Sequence, residues 1–504
     1  MKVIKNHLFF IGVIVLLAAI YFATRLYNIL DLQIFTDEAI YIRWAQIAKN
    51  DAAWRFISLT DGKQPSYIWL AMTMMKIFQD PLFAGRMVSV MAGFFTSLGL
   101  FFLTRTIFKN NWIGLTASTL YLLYPMGLVY DRLALYESLV GAFIVWCLFF
   151  QVMLVRTLRL DVALILGFVM GGAILTKTNA FFSIYLLPFL LVLFDFKGKM
   201  VKKRVLKLLA LSLISACIAY GFYSIQRLSP FFHIIDEKNA IFVYPISEWL
   251  GHPILYLQSN LQGLTDWFIT YFTIPLILLA FVSFIFPRAY LKEKTLLVIW
   301  FLAPFIVLAF FGKTIYPRFI LFMTLPLLPL VAVSLFEIYK MFSKKILFFA
   351  FLILMFLPVI RADYYILTDF KNAPIPRIDL DQFYESWPAG GGVREAIEFF
   401  KKESKDTKIL VVTEGTFGLM PYALEIYQSQ IPNVKIQGLW PITDDIPESI
   451  IESSKKMKTY VLFYQPCAQC QYNGGAPGRW PLTKVLETRK GIGASYNTVY
   501  RVNP

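Results

Sequence analysis

The stretch HLFFIGVIVLLAAIYFATRLY, residues 7–27, is an apolar run long enough to cross a bilayer as one helix. Lys2 and Lys5 precede it, as in a secretory signal. The run is longer than a signal core, however, and Tyr21-Phe22-Ala23 lacks the small residues of a cleavage site. We therefore predict that this segment is retained as the first membrane span, with Lys2 and Lys5 on the cytoplasmic side.

Apolar runs of this kind recur as far as about residue 365. The chain has 504 residues, of which 58% are hydrophobic and 17% aromatic, and its mean hydropathy is +0.61. This composition predicts a polytopic α-helical membrane protein. We predict about eleven spans, near residues 7–27, 82–108, 112–130, 134–155, 162–177, 180–195, 205–226, 266–286, 295–311, 318–339 and 346–365. The region 162–195 also fits one tilted helix, which would reverse the orientation of everything after it.

The formal net charge is +16, and its distribution follows the predicted spans. From Thr368 onward, 16 basic residues nearly balance 15 acidic ones, so the basic excess lies in the apolar part. Short basic loops stay in the cytoplasm and set orientation. Membrane topology thus explains the charge, and we expect membrane lipids but no nucleic acid as partners. With eleven spans, residues 28–81 and 366–504 fall on the outer side of the cell membrane.

An acidic pair, Asp37-Glu38, follows the first span within FTDEAIYIRWAQ, residues 35–46. A carboxylate at the edge of hydrocarbon is costly unless it is solvated, paired or used for chemistry. A solvated outer loop is the simpler interpretation of the pair. Ile40 and Trp44 follow helical spacing, which favours interfacial helices on the outer face at 38–80.

The region from 366 to 504 changes character and predicts a small extracytoplasmic α/β domain. A linker rich in Pro and Gly is followed by strands that alternate with helices. The predicted strands are 408–413, 434–438 and 459–465, and the predicted helices are 393–405, 422–428 and 447–456. We find neither a dinucleotide fingerprint nor a phosphate loop. Outside the membrane, Cys467 and Cys470 favour a local disulfide over a metal site.

Five short pieces of sequence fall on the predicted outer face in a fixed order. They are TDEAIY (36–41), GKQPSYIW (62–69), DRLALYESL (131–139), LTKTN (175–179) and YPRF (316–319). In this order the set resembles the C-type membrane glycosyltransferases of the protein O-mannosyltransferase and lipid A aminoarabinose transferase group. The resemblance covers residues 1 to about 365 and implies the C-type glycosyltransferase fold, with 1–365 as the transmembrane catalytic domain.

The acidic motifs of that group match this chain at two places. Its D-E-x-x-Y motif matches Asp37, Glu38 and Tyr41, and its R-x-A-M-x-D motif resembles Arg132, Ala134 and Glu137, with Glu in place of Asp. The resemblance implies that Asp37 is the catalytic base that deprotonates the acceptor. It also places Glu38 and Glu137 in the catalytic site, with Glu137 positioning the acceptor or, together with Asp37, holding a divalent metal.

The cationic motifs of the group match this chain at several further positions. The resemblance assigns these positions to substrate binding, together with Tyr41 and Arg132. The K-P-P-x-x-Y-W motif matches Lys63, with Gln64 in place of the first Pro, and L-T-K-G matches Lys177, with Thr178 in place of Gly. Arg86 resembles the Arg at the start of the second span, and Arg318 lies in YPRF. A simpler interpretation is that Arg86 and Arg318 are interfacial residues that extend their charged ends to water, and that Glu137 only pairs with Arg132.

The resemblance implies an inverting glycosyltransferase. It would move a sugar from a polyprenyl-phosphate donor to an extracytoplasmic acceptor, which is a protein Ser/Thr, a lipid or a surface glycan. A glycosyl phosphate already has a good leaving group, so one carboxylate and several cations suit the chemistry. No cofactor is firmly indicated, and a divalent metal stays open.

Two other functions compete with this interpretation. A transporter or flippase of lipid-linked sugars would be expected to carry ionisable residues near mid-membrane or broken helices in paired halves. The predicted spans carry their charges at the ends, which favours the enzyme. A catalytically inert member that only binds would be expected to lack Asp37, and Asp37 is present.

Overall fold

A computed structural model describes residues 2–197, 199–465, 478–493 and 495–504. The predicted disulfide between Cys467 and Cys470 lies outside these described residues. The chain forms two compact units. We call the first the membrane unit (Met1–Tyr27, Ala53–Leu70 and Arg86–Thr368) and the second the sheet unit (Asn28–Ala52, Ala71–Gly85 and Asp369–Pro504).

The described helices and strands have the following bounds. The α-helices are α1 (Lys2–Leu26), α2 (Thr36–Asn50), α3 (Ser66–Met74), α4 (Pro81–Phe108), α5 (Asn111–Leu122), α6 (Pro125–Tyr130), α7 (Tyr136–Thr157), α8 (Leu160–Ile174), α9 (Phe182–Tyr185), α10 (Val201–Ser224), α11 (Ile234–Phe242), α12 (Ile246–Trp249), α13 (Leu257–Phe272), α14 (Ile274–Ile285), α15 (Leu291–Phe311), α16 (Leu321–Thr324), α17 (Leu328–Met341), α18 (Lys345–Thr368), α19 (Arg377–Leu380), α20 (Val393–Glu403), α21 (Leu419–Glu425) and α22 (Glu448–Lys456). The strands are β1 (Ile409–Glu414), β2 (Val434–Leu439), β3 (Thr459–Gln465), β4 (Leu482–Arg489) and β5 (Tyr496–Val502).

The prediction of a polytopic helical membrane protein is confirmed. Among the described residues, seven helices are long and apolar enough to cross a membrane: Leu8–Leu26, Pro81–Phe108, Tyr136–Thr157, Val201–Leu228, Leu291–Phe311, Pro317–Met341 and Lys345–Thr368. The pair α13 and α14, bent by 91°, makes an eighth if it is one broken span.

The structure differs from the predicted eleven spans at the remaining places. The predicted span 112–130 is two helices, because Pro125 opens α6 after α5 has ended at Leu122. Helix α8 has 15 residues, about 22 Å of helix, which is shorter than a hydrocarbon core of about 30 Å. Residues 178–192 form short helical turns. Hydropathy correctly predicts that these segments are apolar, but it does not predict where a helix ends within them.

Close approach of two helices in the membrane unit depends on small residues. A Cβ added at Gly167 of α8 would lie 2.8 Å from the Cβ of Ile218 on α10. The Ser215 hydroxyl donates a 2.8 Å hydrogen bond to the Ala163 carbonyl across the same pair. Such small and hydroxyl residues let membrane helices pack backbone to backbone.

The sheet unit contains the predicted α/β arrangement. Its five strands lie in the order β2-β1-β3-β5-β4, with β1 parallel to β2 and β3, and β5 antiparallel to β3 and β4. Side chains of three of these strands, Val412 of β1, Val461 and Phe463 of β3, and Val502 of β5, belong to one buried apolar cluster. The three predicted strands and three predicted helices are present, whereas β4 and β5 were not predicted.

Candidate active site

A close ion pair in the membrane unit joins two of the predicted motifs. Glu137 lies in the first turn of α7, where a carboxylate is favoured by the helix dipole. Lys177 follows the end of α8 in extended backbone. The Lys177 Nζ donates to the Glu137 Oε1 at 2.6 Å. The Glu137 side chain is only 6% exposed and that of Lys177 24%, so the pair is largely shielded from water.

Arg318 contributes a second cation to the same carboxylate. It lies in the helical turn Pro317–Ile320, directly before α16. Its Nε lies 4.0 Å from the Glu137 Oε1, and its side chain is 11% exposed. One buried carboxylate therefore faces two cations, and this arrangement leaves positive charge in excess at that point.

The segment around Lys63 brings the third predicted cation to these motifs. The Gln64 side chain donates a 2.7 Å hydrogen bond to the Thr178 hydroxyl. The Gln64 carbonyl accepts a 3.0 Å hydrogen bond from the Tyr136 hydroxyl, next to Glu137. Lys63 and Gln64 are thus tied to the neighbours of both Glu137 and Lys177. Lys63, Glu137, Lys177 and Arg318, predicted from four separate motifs, come together.

Aromatic rings lie beside all three cations. The Lys63 Nζ is 5.5 Å from the centroid of the Phe242 ring, and the Lys177 Nζ is 4.8 Å from that of Phe319. The Arg318 Cζ is 5.0 Å from the centroid of Tyr316. Contacts of this length are attractive cation–π interactions.

The other two predicted arginines of the membrane unit are buried. Arg132 is 4% exposed and donates to the carbonyls of Ile366 and Tyr27, at 3.2 and 2.6 Å. Arg86, in α4, is fully buried. Neither side chain therefore behaves as a snorkelling residue at the water boundary. Two of the guanidinium nitrogens of Arg132 therefore hold backbone carbonyls in place.

The acidic pair opens helix α2 of the sheet unit. Glu38 is fully buried, and its Oε2 accepts a 2.9 Å hydrogen bond from the backbone N–H of Phe35. This contact occupies the Glu38 carboxylate as a cap of its own helix. Asp37 is half-buried. Tyr41, one turn later, is buried with its ring against Trp44, at 5.9 Å between centroids.

A buried network around Asp131 was missed by the sequence reasoning. The fully buried Asp131 carboxylate accepts hydrogen bonds from the hydroxyls of Tyr21, Tyr121 and Ser138, and forms an ion pair with Arg25 at 3.4 Å. Arg25 lies at the end of an apolar run, where an arginine resembles an ordinary interfacial residue. The sequence alone does not show that Arg25 lies next to Asp131, because the two residues meet only when the helices pack.

The described residues contain no group of three or more His, Cys, Asp or Glu side chains arranged to hold a metal ion.

Two of three comparisons with known proteins gave matches. Residues 63–220 match the sequence profile of the family described as dolichyl-phosphate-mannose-protein mannosyltransferase. No curated protein sequence matches this chain.

Among solved structures, ArnT from Cupriavidus metallidurans bound to undecaprenyl phosphate is similar with a TM-score of 0.52 and 14% sequence identity, over 98% of this chain and 99% of that one. The same protein in its apo state is similar with a TM-score of 0.53, 14% identity and the same coverage. The resemblance to the C-type membrane glycosyltransferases is thereby confirmed: this chain has the fold of ArnT, and its residues 63–220 match the dolichyl-phosphate-mannose-protein mannosyltransferase family.

Proposed function

We propose that this protein is an inverting glycosyltransferase that moves a sugar from a polyprenyl-phosphate donor to an extracytoplasmic acceptor. The observation that carries the proposal is the pairing of two cations, Lys177 and Arg318, with the Glu137 carboxylate, while the segment of Lys63 is held beside them through Gln64. Three cations with one carboxylate suit an anionic group such as a phosphate. An ArnT structure with undecaprenyl phosphate bound, and a family named after dolichyl-phosphate-mannose, support the same donor class.

The charge change in the reaction explains why cations are required. The donor phosphate carries one negative charge while it is esterified to both sugar and lipid, and gains a second when the bond to the anomeric carbon breaks. Cations already in place stabilise that developing charge most in the transition state. Lys63, Lys177 and Arg318 are proposed to supply this stabilisation, and Glu137 to hold Lys177 and Arg318 in position.

Asp37 is proposed as the base that removes the proton from the acceptor. The acceptor oxygen then forms its bond to the anomeric carbon from the side opposite the leaving phosphate, which inverts the configuration. Glu38 suits this role less well, because its carboxylate is buried and already accepts the Phe35 N–H. The acceptor is proposed to be a hydroxyl or similar nucleophile on a protein, lipid or surface glycan.

We propose that the site and residues 366–504 face the outside. The supporting observation is the basic excess of the apolar part, including the cluster from Lys197 to Lys207 at the start of α10, which the positive-inside rule places in the cytoplasm. A reporter that is active only outside the cytoplasm, fused after Pro504, should be active. Cytoplasmic activity of the fusion would contradict the proposed orientation.

The experiment that tests the activity uses the purified protein in lipid nanodiscs with a panel of polyprenyl-phosphate sugars and the matching nucleotide sugars. We expect release of polyprenyl phosphate and transfer of the sugar from a lipid-linked donor only. Turnover of a nucleotide sugar without lipid carrier would refute the donor class. Movement of the intact lipid-linked sugar across liposomes without cleavage would favour the transporter.

A further inference from the structure

The three proposed phosphate-binding cations share an unusual environment. Each lies against one aromatic ring: Lys63 against Phe242 at 5.5 Å, Lys177 against Phe319 at 4.8 Å and Arg318 against Tyr316 at 5.0 Å. The rings come from two segments of the membrane unit, the end of α11 and the turn before α16. All three rings are half-buried, so their faces lie neither in the core nor fully in solvent.

The three rings also contact one another in a chain. Phe319 meets Phe242 with 5.9 Å between centroids at an interplanar angle of 80°, and it meets Tyr316 at 5.9 Å and 87°. Both contacts are edge-to-face, the arrangement that aromatic pairs prefer. Phe319 is therefore the central ring, and moving it would disturb both of its neighbours.

A ring acts on a cation differently from a carboxylate. A carboxylate holds an ammonium group but cancels its charge, as Glu137 does in part for Lys177 and Arg318. The negative face of an aromatic ring attracts the cation and fixes its position without adding a formal charge. A cluster built on rings keeps its net positive charge, which is what an incoming phosphate requires.

We infer that Phe242, Phe319 and Tyr316 form an aromatic bracket that positions the donor-binding cations through cation–π contacts. This inference rests on the proposed function, because the donor is the phosphate lipid named there. The bracket residues are positioning residues: they act on the donor through Lys63, Lys177 and Arg318. Phe319 has the largest expected effect because it is central and its ring is the nearest to a cation.

Fluorination of the ring tests the bracket without changing its shape much. Each added fluorine weakens the negative face of the ring, while the ring volume is nearly kept. The full-length protein would carry 4-fluoro-, 3,5-difluoro- or 3,4,5-trifluorophenylalanine at position 319, in nanodiscs, and binding of undecaprenyl phosphate would be measured. We expect the Kd to rise stepwise with fluorination, by about 5- to 30-fold for the trifluoro ring.

Two controls make the result specific. The same series at Phe322, a buried ring that stacks on Phe182 at 6.2 Å, should leave the Kd unchanged. Binding of the uncharged alcohol undecaprenol should be insensitive to fluorination at either position. The variant Phe319→Trp, which presents a stronger cation–π face, should bind at least as tightly as the unmodified protein, whereas Phe319→Leu should bind more weakly.

The outcomes separate this inference from the function on which it rests. If the unmodified protein binds undecaprenyl phosphate and the Kd is flat across the fluorinated series, the rings are only packing and the bracket is refuted. If the unmodified protein shows no affinity for undecaprenyl phosphate, the proposed donor is wrong and the bracket falls with it.

Discussion

The Gln64 amide donates a 2.7 Å hydrogen bond to the Thr178 hydroxyl. These are the two positions where the chain departs from the K-P-P and L-T-K-G patterns of the group it resembles. Each departure lies next to a proposed donor-binding lysine, Lys63 or Lys177. The polar pair therefore joins the segment of Lys63 to the segment of Lys177.

A double-mutant cycle of Gln64→Ala and Thr178→Ala should reveal this coupling. Gln64 is only 3% exposed, so Thr178→Ala leaves a buried amide without its hydrogen bond, while Gln64→Ala leaves the half-buried Thr178 hydroxyl without its donor. We expect a coupling free energy of about 1 kcal/mol in unfolding experiments, with a matching loss of donor affinity. As a control, Asn110→Ala, which removes the cap of α5, should add to Thr178→Ala without coupling. Additive effects for Gln64 and Thr178 would contradict the link.

Asp37→Asn and Glu38→Gln should separate the base from the helix cap. Asp37→Asn keeps the size of the side chain but removes its ability to accept a proton, so turnover should fall by roughly 10² to 10⁴-fold with donor binding retained. Glu38→Gln keeps an oxygen that accepts the Phe35 N–H and should be mild, whereas Glu38→Ala should cost about 1 kcal/mol of stability. Loss of turnover in Glu38→Gln with near-normal Asp37→Asn would reverse the assignment.

The pair of Glu137 and Lys177 should show both a structural and a binding role. Lys177→Met removes the nearer cation from the Glu137 carboxylate, whose side chain is 6% exposed, and only Arg318, at 4.0 Å, then compensates its charge. We expect the variant to lose about 2 kcal/mol of stability. The double variant Lys177→Met with Glu137→Gln should regain most of that stability but not the donor affinity. Thermal unfolding and donor titration of the same samples check both. Recovered donor affinity in the double variant would remove Lys177 from the donor site.

The sheet unit should respond to pH through Glu414 and Lys490. Burial raises the pKa of Glu414 to about 7 and lowers that of Lys490 to about 7. The folded state therefore binds the Glu414 proton more tightly than the unfolded chain, and its stability falls between about pH 4.5 and 7. The unfolded chain holds the Lys490 proton more tightly, so stability rises from about pH 7 towards 10.5.

The expected result is a local stability minimum near pH 7. Hydrogen exchange of β1 amides in the full chain, corrected for intrinsic exchange, should show the least protection there. Glu414→Gln should remove the acidic limb of the profile, and Lys490→Met the alkaline limb. A flat profile in the unmodified protein would show that water or movement relieves the burial of both groups.

The linear sequence determined the properties that depend on neighbours along the chain. Hydropathy located the seven helices able to cross a membrane, and the succession of strand-like and helix-like segments after residue 366 located β1, β2 and β3. The motifs also indicated Lys63, Glu137, Lys177 and Arg318. Strand β4 was missed because most of its side chains are exposed and three are charged, so it lacks the alternation that marks a half-buried strand.

Only the tertiary structure decided which of these residues meet and what each one contacts. Arg25 and Asp131 are separated by 106 positions, and their pairing depends on close packing of α1, α4 and α6. A Cβ at Gly93 would lie 2.2 Å from the Tyr21 hydroxyl and 2.3 Å from the Asp131 carboxylate, so that approach requires a glycine. The contact of Lys63 with Phe242 and the Gln64–Thr178 hydrogen bond likewise join residues that are far apart in the sequence. Such contacts are set by distance in space, which packing determines and local sequence does not encode.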